Sequence, residues 1–189
     1  MAGETGAGGG CVCPAEHAWA LTIPGRGLVH SPRRILQGLV GPGDTVADLG
    51  CGPGYFSLPL ARMVGPDGSV VAVDLQPAML ARLEARATKA GLRERIVLHS
   101  CAADTLGELP PLDAALAFYM VHEVPDVERF LGEVADALKR GGHLLVIEPR
   151  GHVHEQAWRE TLGLAASCGL ATVEPRRVFQ SRAALLQKE

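Results

Sequence analysis

The chain of 189 residues has little of what marks membrane, nucleic-acid-binding or disulfide-stapled proteins. Its longest apolar runs, such as Leu144-Leu145-Val146-Ile147, fall far short of the ~20 residues a bilayer-spanning helix needs. Neither sign of charge dominates: 18 Lys and Arg face 21 Asp and Glu, a net charge of −3, so no strong field attracts a phosphate backbone. Arg33-Arg34 and Arg176-Arg177 are isolated basic pairs, and with aromatic residues at 4% nothing interleaves them into an RNA-binding stripe. Five cysteines, odd in number and scattered, imply reduced thiols in a cytoplasmic protein rather than a disulfide framework. The start, Met1 to Gly10, is small and polar instead of basic then apolar, which is not how a secretory signal reads. With five glycines it is expected to be a disordered tail.

What is present is a regular alternation of strand-like and helix-like segments. Thr45–Leu49 reads as a first strand, followed by a glycine-rich turn and a helix over Tyr55–Val64. Gly65-Pro66-Asp67-Gly68 is a turn, and Val70–Asp74 a strand buried on both faces. Pro77 suits a first helical position; Leu80, Leu83, Ala87 and Ala90 share one face, and Gly91 stops the helix. Ile96–His99 and Asp113–Tyr119 are the third and fourth strands. Asp126 is placed to N-cap a helix whose face is Val127, Phe130, Leu131, Val134 and Leu138, with Lys139-Arg140 on its C-terminal dipole and Gly141-Gly142 as its end. Leu144–Glu148 is a fifth strand, Glu155–Ser167 a helix, and Thr172–Val178 with Ala183–Gln187 an antiparallel hairpin. Repeated β–α units predict an α/β fold: a doubly wound, mostly parallel sheet with helices on both faces. No internal repeat or second domain is visible.

The chemistry concentrates in Asp48-Leu49-Gly50-Cys51-Gly52-Pro53-Gly54, directly after the first strand, and in Asp74, which ends the second. Glycine at 50, 52 and 54 permits positive φ and lets backbone lie against a ligand. An acidic side chain ending the second strand can accept from both hydroxyls of a ribose. The dinucleotide fingerprint wants its third glycine at relative position six, where this chain has Tyr55; that spacing disfavours a nicotinamide or flavin oxidoreductase.

Val46-Ala47-Asp48-Leu49-Gly50-Cys51-Gly52-Pro53-Gly54 resembles motif I of the class I S-adenosylmethionine-dependent methyltransferases. Val71-Ala72-Val73-Asp74 resembles their second motif, and Leu138-Lys139-Arg140-Gly141-Gly142-His143-Leu144-Leu145 the segment before their fifth strand. The similarity runs from roughly Pro32 to the C-terminus. It implies a seven-stranded sheet with the last hairpin strand inserted antiparallel, a methyltransferase domain over residues 41–189, and a lid or helical segment over residues 11–40. It also implies a cofactor site. Asp48 and the loop Gly50, Cys51, Gly52 and Gly54 face the methionine and ribose parts, Asp74 holds the ribose hydroxyls, and Leu75 lies beside the adenine. Cys101, Ala102 and Ala103 border the adenine ring, and Phe118-Tyr119 lies near the sulfonium. Asp104 either accepts from the adenine amino group or is surface.

Methyl transfer from a sulfonium is an in-line displacement, so the protein aligns the nucleophile and excludes water. A base is required only if the acceptor arrives protonated. His122, just past the fourth strand, is the candidate; its alternative role is to order the loop or cap the next helix. Glu148 and His152 can complete a polar cluster with His122 and Glu123, though Glu148 can equally be a solvated strand end. The spacing of these residues matches no metal pattern, so no metal is expected. Exocyclic-amino methyltransferases resemble one another in an Asn/Asp-Pro-Pro-aromatic tetrapeptide where this chain has Phe118-Tyr119-Met120-Val121. The reading is therefore methyl transfer to a small molecule, with no nucleic-acid or membrane partner. The alternatives are a cofactor-binding scaffold without turnover, and an arsenite or thiol methyltransferase, suggested by Cys11 and Cys13 with Cys51. Small-molecule enzymes, including quinone-biosynthesis C-methyltransferases, resemble this core equally well.

Overall fold

Both faces of the sheet are apolar, and that dictates a three-layer arrangement. In the computed structural model, which describes residues 30–189, the strands are β1 (Thr45–Leu49), β2 (Ser69–Asp74), β3 (Ile96–Ser100), β4 (Leu112–Phe118), β5 (Leu138–Pro149), β6 (Leu170–Pro175) and β7 (Ser181–Lys188). They form one sheet in the order β3-β2-β1-β4-β5-β7-β6. β1 to β5 pair in parallel, and β7 runs antiparallel between β5 and β6. This is the expected doubly wound, seven-stranded sheet with a C-terminal antiparallel hairpin. The tail expected over residues 1–10 and most of the segment expected over 11–40, with Cys11 and Cys13, lie outside the described residues.

The helices are α1 (Pro32–Ile35), α2 (Ser57–Met63), α3 (Pro77–Lys89), α4 (Val127–Ala137) and α5 (Glu155–Ser167). Strand side chains alternate between two cores. Val70, Ala72, Leu116 and Ile147 meet Leu60 of α2 and Leu83 of α3 on one face. Val71, Val73, Ala117 and Val146 meet Leu131 and Val134 of α4 and Trp158 of α5 on the other. Each fully buried leucine or valine contributes about 1.5–3 kcal/mol, which is why short apolar strands hold without any polar face. Among the described residues no helix is long and apolar enough to cross a membrane.

Three local expectations are corrected. The helix after the glycine turn starts at Ser57, not Tyr55, because the turn continues through Phe56. Ala90 does not share the buried face of α3; it is the exposed C-cap. The pair Gly141-Gly142 does not end α4, which closes at Ala137. Leu138 already pairs with Leu112, and the next register pair is Ala114 with His143, so Lys139–Gly142 bulges out of β5. A Cβ at Gly142 would stand 2.8 Å from the Lys139 carbonyl oxygen and 3.1 Å from that of Asp113. Lys139 binds Asp113 at 2.6 Å instead of attending the helix end.

The chain winds outward from β1 to β2 and β3, then returns to β4 on the other side of β1. Helices leave in opposite directions at that point and open a crevice at the carboxyl ends of the strands, where ligands bind in such sheets.

Candidate active site

A cavity of about 570 Å³ occupies that crevice, within the range of small-molecule and cofactor sites. The ends of all five parallel strands reach it: Asp48 and the glycine turn from β1, Asp74 and Leu75 from β2, Cys101, Ala102 and Ala103 from β3, Phe118 from β4, and Pro149 from β5. Gly50, Cys51, Gly52 and His122 also line it. Of the residues read from the sequence as the cofactor site, Gly54 alone is missing from the lining. A Cβ there would stand 2.3 Å from Leu83 Cδ1, and φ is +84°. The third glycine is therefore required by the packing of the turn on α3.

The glycine turn is tied to β2 before any ligand arrives. The Cys51 amide donates to the Val73 carbonyl at 2.9 Å, and the Gly52 amide to Asp74 Oδ2 at 2.8 Å. Gln76 N donates to Asp74 Oδ1 at 2.8 Å. A carboxylate has about four acceptor sites, so the buried Asp74, held by the amides of its own neighbours and of Gly52, can still accept from a ligand hydroxyl. Burial pushes its pKa up, against the pull of those amides. Leu75 is 40% exposed, an apolar surface left open at the cavity wall.

Asp48 is buried and accepts from Ser57 Oγ at 2.5 Å. Burial, with a smaller push from Asp74, raises its pKa from 3.8 to about 7. Between those two values the native state holds a proton the unfolded chain lacks, so stability falls as pH rises through that window. Asp48→Asn keeps an acceptor for Ser57 and removes the titration. Urea unfolding should show its advantage over the native sequence growing from pH 5 to pH 8; an offset that does not change with pH contradicts the assignment.

Two thiols reach the cavity. Burial first, and the carboxylates of Asp48 and Asp74 after it, push the Cys51 thiol well above its ordinary value. Burial and Asp74 raise Cys101 likewise. Near neutrality both remain protonated and poorly nucleophilic.

The opposite wall is built by an unusual turn. Tyr119 follows β4 with φ +58°, a conformation that costs a bulky residue on the order of 1–3 kcal/mol. Its amide donates to the Ile147 carbonyl at 2.8 Å, its hydroxyl pairs with Ser181 Oγ at 2.6 Å and His30 Nε2 at 3.1 Å, and its ring stacks on Phe118 at 4.2 Å. The turn carries Met120 against Gly50, whose Cβ position lies 3.1 Å from Met120 Cβ, and leads into a short 3-10 turn holding His122.

His122 Nδ1 donates to Glu148 Oε2, and Glu148 Oε1 accepts from the Val121 amide at 2.8 Å. Glu148 is only 2% exposed, which excludes the solvated strand end. The His152 ring packs edge-on to His122 at 5.6 Å. The hydrogen bond to Glu148, opposed by burial and aided by the charges of Glu148 and Glu123, raises the His122 pKa above 6.5. The stability this imidazolium adds is complete below 6.5 and fades as pH climbs through the raised value.

Sequence reasoning missed Glu133 of α4, which also lines the cavity. Its carboxylate accepts from Thr105 Oγ1 at 2.9 Å and Leu106 N at 2.6 Å, pinning the loop after β3. Asp104, on that loop, is exposed and lies 3.9 Å from Arg129. Among the described residues no group of His, Cys, Asp and Glu is arranged to hold a metal ion.

Residues 46–142 match the family described as methyltransferase domain. The chain is 35% identical over 108 residues to aklanonic acid methyltransferase DauC of Streptomyces sp. strain C5, covering 57% of this chain and 49% of that one. It is 29% identical over 109 residues to demethylmenaquinone methyltransferase of Bacillus cytotoxicus, covering 58% and 46%. It thus spans about half the length of the curated relatives it matches. Among solved structures it is similar in fold to a SAM-dependent methyltransferase from Aquifex aeolicus, with a TM-score of 0.81 and 22% identity over 93% of this chain and 100% of that one.

Proposed function

Because the chain belongs to the class I S-adenosylmethionine-dependent methyltransferases, we propose that it moves the methyl group of that cofactor onto a small-molecule acceptor, with His122 taking the acceptor's proton. The observation that carries this reading is one continuous cavity with the glycine turn and Asp74 at one end and the Glu148-bound His122 in the other wall. When bound, S-adenosylmethionine supplies an electrophilic methyl on a sulfonium, and the chemistry is the cofactor's own.

The residues fit that group. Asp74 keeps acceptor capacity for the ribose hydroxyls, and Gly50 and Gly52 let the backbone of the turn approach without bulk. Leu75 and Ala102 offer apolar surface to an adenine, and Cys101 and Ala103 border the same loop. Asp48, when ionised, offers negative charge to a cationic ligand; Phe118 closes the floor toward the acceptor. Both curated relatives are named for small organic acceptors, and a cavity of this size suits one beside a cofactor. The test is release of S-adenosylhomocysteine with panels of hydroxyl, amine, thiol, carbon and metalloid acceptors. Turnover with a small molecule is expected; turnover confined to RNA or protein substrates overturns the reading.

A further inference from the structure

We propose that Glu148 is a positioning residue that fixes the tautomer of His122, and that the acceptor is an uncharged planar hydroxyl compound of the phenol or enol class. This rests on the methyl-transfer reading above. A carboxylate only accepts, so the hydrogen of the neutral His122 ring lies on Nδ1, against Glu148 Oε2, and Nε2 is left as the nitrogen that can take a proton. Glu148 is held for this purpose from its other oxygen by the Val121 amide at 2.8 Å, at the buried end of β5. A buried carboxylate is costly unless fully paired, and both of its oxygens are paired here.

The walls select the rest of the acceptor. Aromatic residues are scarce in this chain, yet both tyrosines and three of the four phenylalanines line the cavity. Tyr55, Phe56, Phe118 and Tyr119 pack in a row with ring centroids 5.1, 4.6 and 4.2 Å apart, which suits a flat apolar framework. Among the described residues lining the cavity six are acidic (Asp48, Asp74, Asp104, Glu123, Asp126 and Glu133) and none is Lys or Arg. An anionic acceptor meets six carboxylates and no Lys or Arg in that wall. A neutral hydroxyl has a partner in His122. As the acceptor's O–H bond breaks, Nε2 takes the proton; the oxygen's electron pair forms the new bond to the methyl carbon, and the S–C pair stays on sulfur. The proton then passes from the imidazolium to solvent.

The experiment compares 2-naphthol, 2-naphthoate and naphthalene on the full chain, native and Glu148→Gln. Calorimetry in the presence of S-adenosylhomocysteine should show 2-naphthol binding at least tenfold tighter than 2-naphthoate, and equal or reversed affinities overturn the charge argument. Nitrogen-15 NMR of the His122 ring should show Nδ1 protonated and a pKa above 6.5; in Glu148→Gln the amide donates to Nδ1, the hydrogen moves to Nε2, and the pKa falls. Naphthol methylation should fall at least 100-fold in Glu148→Gln with cofactor affinity unchanged, and return in part in Glu148→Asp. An Nε2-protonated native ring, or a Glu148→Gln enzyme with full rate and the native pH midpoint, overturns the positioning role. If thiols or amines turn over and planar phenols do not, this inference falls while methyl transfer stands; if no acceptor turns over and S-adenosylmethionine does not bind, the underlying reading falls with it.

Discussion

Replacing His122 with alanine is expected to lower the methyl-transfer rate about 10²–10⁴-fold, the contribution of a positioned general base, while S-adenosylmethionine affinity stays within about twofold. The separation follows from where the side chain sits: in the cavity wall, hydrogen-bonded to Glu148, whereas Asp74, the proposed ribose acceptor, is tied to the glycine turn. The pH dependence gives the more specific signature. The base works as neutral imidazole, so the native rate should rise with pH, and its midpoint should lie above 6.5 because Glu148 favours the protonated ring. His122→Ala should lose that rise. Full rate with the native pH profile in the alanine variant would mean that His122 only orders its loop.

Asp74→Ala should weaken S-adenosylhomocysteine binding by about 1.5–3 kcal/mol, the scale of hydrogen bonds to a charged acceptor, or roughly 10–150-fold in Kd. Two effects act together in this variant. The ribose loses its acceptor, and the amides of Gly52 and Gln76 lose the carboxylate that orders the glycine turn. Asp74→Asn separates them. Its amide nitrogen faces one of those backbone donors or the ribose, so it preserves shape but sets a donor against a donor, and it should lose most of the same affinity. Calorimetric titration of both variants decides the matter, and an unchanged Kd in either contradicts the ribose role.

Much of this arrangement was legible because it is local. The apolar run Thr45–Leu49 and the turn after it need only their own sequence to place β1 and its carboxyl end, and Glu155–Ser167 carries its helical boundaries in its own pattern. Asp126 caps α4 through the amide three residues on, a contact that sequence spacing specifies. What escaped depends on residues far apart in the chain. The need for glycine at 54 comes from Leu83, 29 residues on, which fills the space over it. Gly141-Gly142 has the composition of a helix stop, but pairing of Leu138 with Leu112 draws the segment into β5. Glu133 reaches a loop 27 and 28 residues away, with no spacing rule to announce it. His122 and Glu148 were foreseen in one cluster, but their hydrogen bond and the burial of Glu148 follow from the parallel register of Phe118 with Ile147. Tyr119, with positive φ on a bulky residue, has no sequence signal; its strain is held by Ile147, Ser181 and His30 from three other parts of the chain.

These predictions require the cavity to be the seat of S-adenosylmethionine, with its ribose on Asp74. Isothermal titration of the chain with S-adenosylmethionine, S-adenosylhomocysteine and NAD tests this directly. Micromolar-range binding of the first two, abolished or strongly weakened by Asp74→Ala, with no heat from NAD, is the predicted result. Saturable binding of NAD alongside silence from both sulfur compounds would contradict it.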